Sequence, residues 1–270
     1  SPLPTVAKFQ FKKVFGKDPS KVFDSFDAQA FASASLGQVH HAKLQSGKEV
    51  VVKLQYPSIR SAIENDLSII QATFLPLKAT KLYHRKSFEE IKRGLLEETH
   101  YLVEAENIQR FQKGFQGRSD VHVPKVYSKY SNDQVLTMSV VPGKHLDQAL
   151  KGATSKLRNQ WARTILDLYH HQIHRMGVVH ADPHLGNYLF CEDGSVGIVD
   201  FGCVKEVPGS MIESFIESLA LNPDQDADAY REMVTKAHDA FSVWELTDDQ
   251  FEVHKGFSRL YADIYPRWDQ

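Results

Sequence analysis

Three polar residues in the second half of the chain are spaced so that they could act together: Asp182, Asn187 and Asp200. Asp182 and Asn187 stand five apart in His180-Ala181-Asp182-Pro183-His184-Leu185-Gly186-Asn187, and Asp200 opens Asp200-Phe201-Gly202 thirteen residues later. Asn and Asp offer hard oxygen ligands suited to Mg²⁺, and a further carboxylate can orient or deprotonate an attacking hydroxyl. Such a set fits phosphoryl transfer, where the protein mainly positions groups and spreads charge. That chemistry also needs a cation on the phosphates that are not transferred. Lys53 is the candidate, at the end of the apolar run Glu49-Val50-Val51-Val52-Lys53-Leu54, where an unpaired charge would be costly to bury. Alone, Asp-Phe-Gly also reads as a turn; order and spacing together point to a nucleotide site.

The elements around these residues can be read coarsely. Residues 4–16 pattern as a helix ending near Gly16, and 30–56 as two strands joined at Gln45-Ser46-Gly47-Lys48. Pro57 opens a helix running to about Thr80, and Ser87-Phe88-Glu89-Glu90 starts a second one reaching Phe111. This second helix offers Lys53 a carboxylate partner, Glu98 or Glu104. At about 100° per residue the two lie on different faces, so a straight helix presents only one of them. Strands are expected near 124–130 and 135–141, then a break at Val141-Pro142-Gly143. A helix over 155–176 stops at Gly177, the hairpin 188–191/196–199 turns at Glu192-Asp193-Gly194, and about three helices follow. The fold class expected is α+β, with a β-rich N-lobe over 1–141 and a helical C-lobe over 142–270, together forming one domain. The hairpin lets Asn187 and Asp200 converge on one ion.

Composition narrows the partners. The chain has 270 residues, 42% of them hydrophobic, and a formal net charge of -2, so no global basic field exists to hold nucleic acid or an anionic membrane. A local basic patch is compatible with that balance. Two cysteines, Cys191 and Cys203, do not make a disulfide scaffold and fit a reducing intracellular compartment, the cytoplasm or an organelle if a targeting segment has been removed. No apolar run reaches the ~20 residues that span a bilayer. Ser1-Pro2-Leu3-Pro4 is not signal-like and lacks an initiator Met, so a fragment is expected. His170 and His174 share a helix face, as zinc ligands can, but the residues between them lack the Glu of His-Glu-x-x-His, which favours packing or solvation over metal binding. His180 is expected to brace the loop near Asp200. Trp244, Phe251 and Tyr261 are expected to pack between helices.

Protein kinases place an Asp, an Asn five residues on and an Asp-Phe-Gly in this order. With Ala32-Ser33-Ala34-Ser35-Leu36-Gly37-Gln38-Val39-His40 before the lysine strand and Glu98-Thr99-His100-Tyr101-Leu102-Val103-Glu104-Ala105-Glu106-Asn107 after it, the chain resembles the UbiB/AarF-domain atypical kinases, linked to coenzyme Q biology, over about residues 20–205. The resemblance implies a bilobal kinase-like fold using ATP and Mg²⁺. It implies Asp182, Lys53 and Glu104 as catalytic groups, and Asn187 and Asp200 as metal ligands. Ala32, Ser33, Ala34, Ser35, Gly37, Lys53 and Glu98 are implied as cofactor-binding residues, with an alanine-rich turn where protein kinases have glycines. Glu98 and His100 map to a Glu-x-Asp pair in which His100 departs from the Asp. Leu185 replaces a usual Pro, and an upstream Lys-x-Gly-Gln element is absent. The short run from Cys203 to Pro208 carries no Ala-Pro-Glu, which argues against a peptide-directed kinase. The expected partners are ATP and a small or lipid-like molecule such as a quinone precursor, with no nucleic acid. Any peripheral membrane attachment is expected through segments outside this stretch. The alternative reading is a nucleotide-binding scaffold or lipid-handling module with negligible turnover.

Overall fold

The β-branched run Val50-Val51-Val52 becomes the interior of an antiparallel sheet. In a computed structural model, which describes residues 4–74, 85–97, 99–209, 213, 221, 223–241 and 246–264, the chain divides into two units. One comprises Ser1–Tyr169 with His180–Val204, the other His170–Val179 with Lys205–Gln270. The first unit opens with α1 (Pro4–Phe15), α2 (Pro19–Val22), β1 (Phe23–Phe26), β2 (Ala32–Ala34), β3 (Gly37–Leu44) and β4 (Glu49–Gln55). Then come α3 (Ile59–Phe74), α4 (Arg85–Glu97), α5 (Tyr101–Gly114), β5 (Val121–His122), β6 (Val135–Ser139), α6 (Leu146–Ala149) and α7 (Ser155–His171).

The main sheet runs β1-β3-β4-β6, and β2 also pairs with β3. The segment 30–56 thus holds three strands rather than two, because Ser35-Leu36 folds β2 back on β3, with Ala34 opposite Gly37. The β3–β4 turn falls where Gly47 takes a φ of 81°, a conformation glycine adopts without a Cβ penalty. One face of the sheet buries Phe23, Ala42, Leu44, Val50, Val52 and Leu54 against Ala7 and Phe11 of α1. Phe11 meets Phe23 and Phe26 of β1 with ring centroids 5.5 and 5.7 Å apart, which anchors α1 to the sheet.

Two expectations are corrected. The helix expected from Ser87 to Phe111 is two helices, α4 and α5. At the break, His100 is extended (φ -112°, ψ 95°). The backbone groups freed there are taken up elsewhere: Tyr101 N–H donates to the Asp133 carbonyl at 3.0 Å, and Gln55 Nε2 donates to the Thr99 carbonyl at 2.8 Å. The strand expected over 124–130 is only an isolated bridge, Val126 to Met138, followed by a 3₁₀ turn at Ser128–Tyr130. Pro124 has no N–H to give a ladder, and the regular strand is β5, three residues earlier.

β5 pairs in parallel with β9 (Val196–Ile198), which pairs antiparallel with β8 (Tyr188–Phe190). Helix α7 holds this hairpin from behind. Trp161 Nε1 donates to the Cys191 carbonyl at 2.8 Å and Thr164 Oγ1 to the Gly194 carbonyl at 3.1 Å.

In the second unit, a π-turn over Gln172–Met176 closes on Gly177 at φ 63°. Helices α8 (Ala227–Phe241) and α9 (Asp248–Ile264) bury Tyr230, Met233, Val234 and Phe251 between them. Trp244 lies outside the described residues, as does the side chain of Tyr261.

Candidate active site

Lys53 sits on β4 with 3% of its surface exposed, so its ammonium needs partners inside the protein. It has two carboxylates: Nζ donates to Glu104 Oε1 at 2.6 Å and to Asp200 Oδ2 at 2.9 Å. Glu104 comes from the first turn of α5, and the break at His100 sets that helix's start. Burial pushes the Glu104 carboxyl up, against Lys53 and the Phe201 N–H, while Glu104 and Asp200 overcome burial and hold Lys53 as the ammonium. Burial also acts to raise Asp200, but Lys53 outweighs it, and the net shift is below the ordinary 3.8. Glu98 lies outside the described residues.

The Asp200-Phe201-Gly202 turn is clasped from α5. Phe201 N–H donates to Glu104 Oε1 at 3.2 Å, and Asn107 Nδ2 donates to the Phe201 carbonyl at 2.9 Å. Phe201 is fully buried, edge-on to Phe111 at 5.1 Å. His180 Nε2 donates to the Asp200 carbonyl at 2.7 Å, and its Nδ1 accepts the Asp182 N–H at 3.4 Å. One imidazole thereby ties the loop carrying Asp182 to the turn carrying Asp200.

Asp182 is exposed. Its Oδ2 accepts from Asn187 Nδ2 at 2.7 Å, so the Asn187 amide nitrogen is engaged and its Oδ1 is the end left to serve as a ligand. The hairpin brings Asn187 beside Asp200: Val199 N–H donates to the Asn187 carbonyl at 3.0 Å, one residue before Asp200. These two residues supply hard oxygens and no sulfur or imidazole, which fits Mg²⁺; phosphate and water oxygens would complete its shell. Among the described residues, no group of three or more His, Cys, Asp and Glu could hold a metal by itself.

The turn Ala32–Gly37 closes over the end of β4, where Tyr56 N–H donates to the Leu36 carbonyl at 3.0 Å. Ser33 and Ser35 are exposed, Ala32 and Ala34 half-buried, and Gly37 buried. A Cβ on Gly37 would stand 2.5 Å from the Leu54 carbonyl oxygen and 2.6 Å from the Tyr101 hydroxyl. Because the first contact is backbone, Gly37→Ala is expected to cost about 1–3 kcal/mol. Urea denaturation of the variant checks this, and an unchanged midpoint would contradict the close approach.

Several groups here had little or no signal in the sequence. Tyr101 places its ring 5.8 Å from Lys53 Nζ; its position one turn before Glu104 was the available clue. Asn107 had no such clue, since its partner, the Phe201 carbonyl, is remote in sequence. His100 contacts Arg60, with Nε2 2.8 Å from Nη1, and lies 3.6 Å from Asp133 Oδ1, two partners that only the fold brings together. His170 and His174 lie side by side, their rings tilted by 31° with centroids 5.1 Å apart.

A buried lysine joining a helix glutamate to an Asp-Phe-Gly aspartate is a kinase arrangement, and residues 4–234 match the ABC1 atypical kinase-like domain. The chain belongs to the ABC1 atypical kinase-like family. Among relatives, "Protein ACTIVITY OF BC1 COMPLEX KINASE 7, chloroplastic" of Arabidopsis thaliana is 35% identical over 76% of this chain and 30% of its own length. An uncharacterized aarF domain-containing protein kinase of the same plant, also termed chloroplastic, is 32% identical over 92% of this chain and 35% of its own. The chain therefore spans about a third of these ABC1 relatives. The Rv3197–erythromycin complex from Mycobacterium tuberculosis shares the fold with a TM-score of 0.77 and 27% identity, covering 87% of this chain and 60% of that one. The ABC1 membership accords with the mixed α+β, kinase-like architecture. Among the described residues, no helix is long and apolar enough to cross a membrane.

Proposed function

We propose that this chain is a Mg²⁺-dependent, ATP-using phosphotransferase or ATPase of the ABC1 family, acting on a small or lipid-like molecule. The observation that carries the reading is the Lys53 ammonium held by both Glu104 and Asp200, with Asn187 beside Asp200 on the hairpin. In this reading Lys53 neutralises the non-transferred phosphates and Glu104 keeps it aimed. The turn Ala32-Ser33-Ala34-Ser35-Leu36-Gly37 lies over the nucleotide, and Glu98 contributes to its binding. Asn187 and Asp200 would hold Mg²⁺, which supplies charge neutralisation on the phosphates when bound. Asp182, exposed and oriented by Asn187 Nδ2, accepts the proton of the attacking hydroxyl or water. Residues 1–141 and 142–270 serve as the N-lobe and C-lobe.

Among the described residues, the run from Asp200 to Pro208 is short, with β10 (Val204–Glu206) following at once, and it forms no platform of the kind that seats a peptide. That favours a small acceptor, as does the erythromycin complex of the M. tuberculosis protein. A quinone precursor fits this class. A content of only two cysteines favours a reducing compartment, and the chloroplastic relatives favour an organelle. Mg²⁺-dependent ATP turnover tests the proposal. A nucleotide-dependent rise in melting temperature with no turnover, with or without lipid or quinone-like compounds, would replace it with a nucleotide-binding scaffold.

A further inference from the structure

Tyr101 carries a polar group for which the cluster around Lys53 has no use. It is the first residue of α5, and 3% of its surface is exposed. Its backbone N–H donates to the Asp133 carbonyl at 3.0 Å, which pins it at the helix start. Glu104, three residues on and on the same side of the helix, holds Lys53. The Tyr101 ring stands 5.8 Å from Lys53 Nζ. Its hydroxyl is buried and has no hydrogen-bond partner among the described residues. A buried tyrosine hydroxyl ordinarily finds one, because a polar group left unmade in the interior costs stability. Its neighbours are satisfied: Lys53 has two carboxylates, and Glu104 accepts from both Lys53 and the Phe201 N–H.

The surroundings say which acceptor would suit this hydroxyl. Gly37, at the end of the alanine-rich turn, lies directly against it: a Cβ there would stand 2.6 Å away. The phenol therefore reaches from the Lys53 ammonium to the backbone of the turn, the two elements that would face the phosphates. Burial pushes the phenol up despite Lys53, so it keeps its proton and acts as a donor. Two other buried atoms without partners, Gln38 Oε1 and His40 Nε2, cannot serve it. Gln38 is opposite Leu54 and His40 opposite Val52, so both lie on the face of β3 turned away from Lys53. An anion drawn to Lys53 is the acceptor within reach. The turn can give way to admit it, because β2 pairs with β3 alone, and lifting β2 leaves the strand carrying Lys53 in place. We infer that the Tyr101 hydroxyl is held for the nucleotide: the turn lifts over bound Mg²⁺-ATP, and the hydroxyl donates to a phosphate oxygen beside Lys53. This rests on the proposed nucleotide site and adds a binding residue to it.

Calorimetric titration of Mg²⁺-ATP into the wild-type chain and into Tyr101→Phe tests it, with a melting curve of each taken without nucleotide. Phenylalanine keeps the ring and removes only the hydroxyl. Loss of an unpartnered buried hydroxyl is expected to leave the melting temperature unchanged or to raise it by about 2–4 °C. The dissociation constant for Mg²⁺-ATP is expected to rise about tenfold, the worth of one hydrogen bond to a charged acceptor. A residue that only packs would lose stability and affinity together, so affinity lost at full stability is the signature of a ligand contact. A lower melting temperature for Tyr101→Phe means that the hydroxyl has a partner inside the protein, and overturns the inference. Equal affinity of the two chains also overturns it while leaving the nucleotide site standing. If the wild-type chain itself takes up no Mg²⁺-ATP, the nucleotide reading falls and the inference with it.

Discussion

Asp200→Asn is expected to lower Mg²⁺-dependent ATP turnover by about 10²–10³-fold, the cost of removing one preorganised charge from a phosphoryl-transfer site. The change keeps the shape of the side chain. Its amide can still accept the Gly202 N–H that Asp200 Oδ1 accepts at 2.9 Å. It removes the negative charge that both Lys53 and a bound Mg²⁺ need. The folded protein should survive, because Asp200 is at the open edge of the cluster with 26% of its side chain exposed, while Glu104 remains on Lys53. Steady-state phosphate release at saturating ATP, read beside a melting curve, separates the two effects. Equal rates for variant and wild type would remove Asp200 from the chemistry.

The second large effect is on stability. Lys53→Met leaves Glu104, 4% exposed, with the Phe201 N–H as its remaining polar partner. A single break in a buried ion pair costs about 3–5 kcal/mol. Adding Glu104→Met removes the stranded carboxylate as well, and the double variant should return to within about 1 kcal/mol of wild type, since an apolar pair can replace a buried ionic one at little cost. Turnover stays lost in both. Urea denaturation of the two singles and the double gives the coupling directly. If the double variant is as unstable as the Lys53 single, the loss lies in Asp200, the other carboxylate left without Lys53, and not in the stranded Glu104. The expected outcome says that Lys53–Glu104 is retained for positioning.

The loop carrying Asp182 and Asn187 stood out in the sequence because it combines side-chain types at fixed spacing, and the 188–199 hairpin between Asn187 and Asp200 was marked by Asp193-Gly194. The lysine strand was legible from its β-branched run. The break between α4 and α5 was not. Helical periodicity runs through Thr99-His100, and the groups that stop it, Asp133 and Gln55, are remote in sequence. The same holds for the 124–130 region, where a strand was expected but Pro124 and the Ser128–Tyr130 turn prevail. The choice between Glu98 and Glu104 as partner of Lys53 depended on where α5 begins, which local pattern does not state. The clasp of Asn107 on the Phe201 carbonyl likewise becomes visible only once α5 and the Asp-Phe-Gly turn are adjacent.

The most direct test of the central claim is a crystal structure of the wild-type chain with a non-hydrolysable ATP analogue and Mn²⁺, read by the metal's anomalous signal. The expected result is a peak within ligand distance of Asn187 Oδ1, the Asp200 carboxylate and phosphate oxygens, with Lys53 on a non-transferred phosphate. A nucleotide bound without metal at Asn187 and Asp200, or a metal held elsewhere, would contradict it.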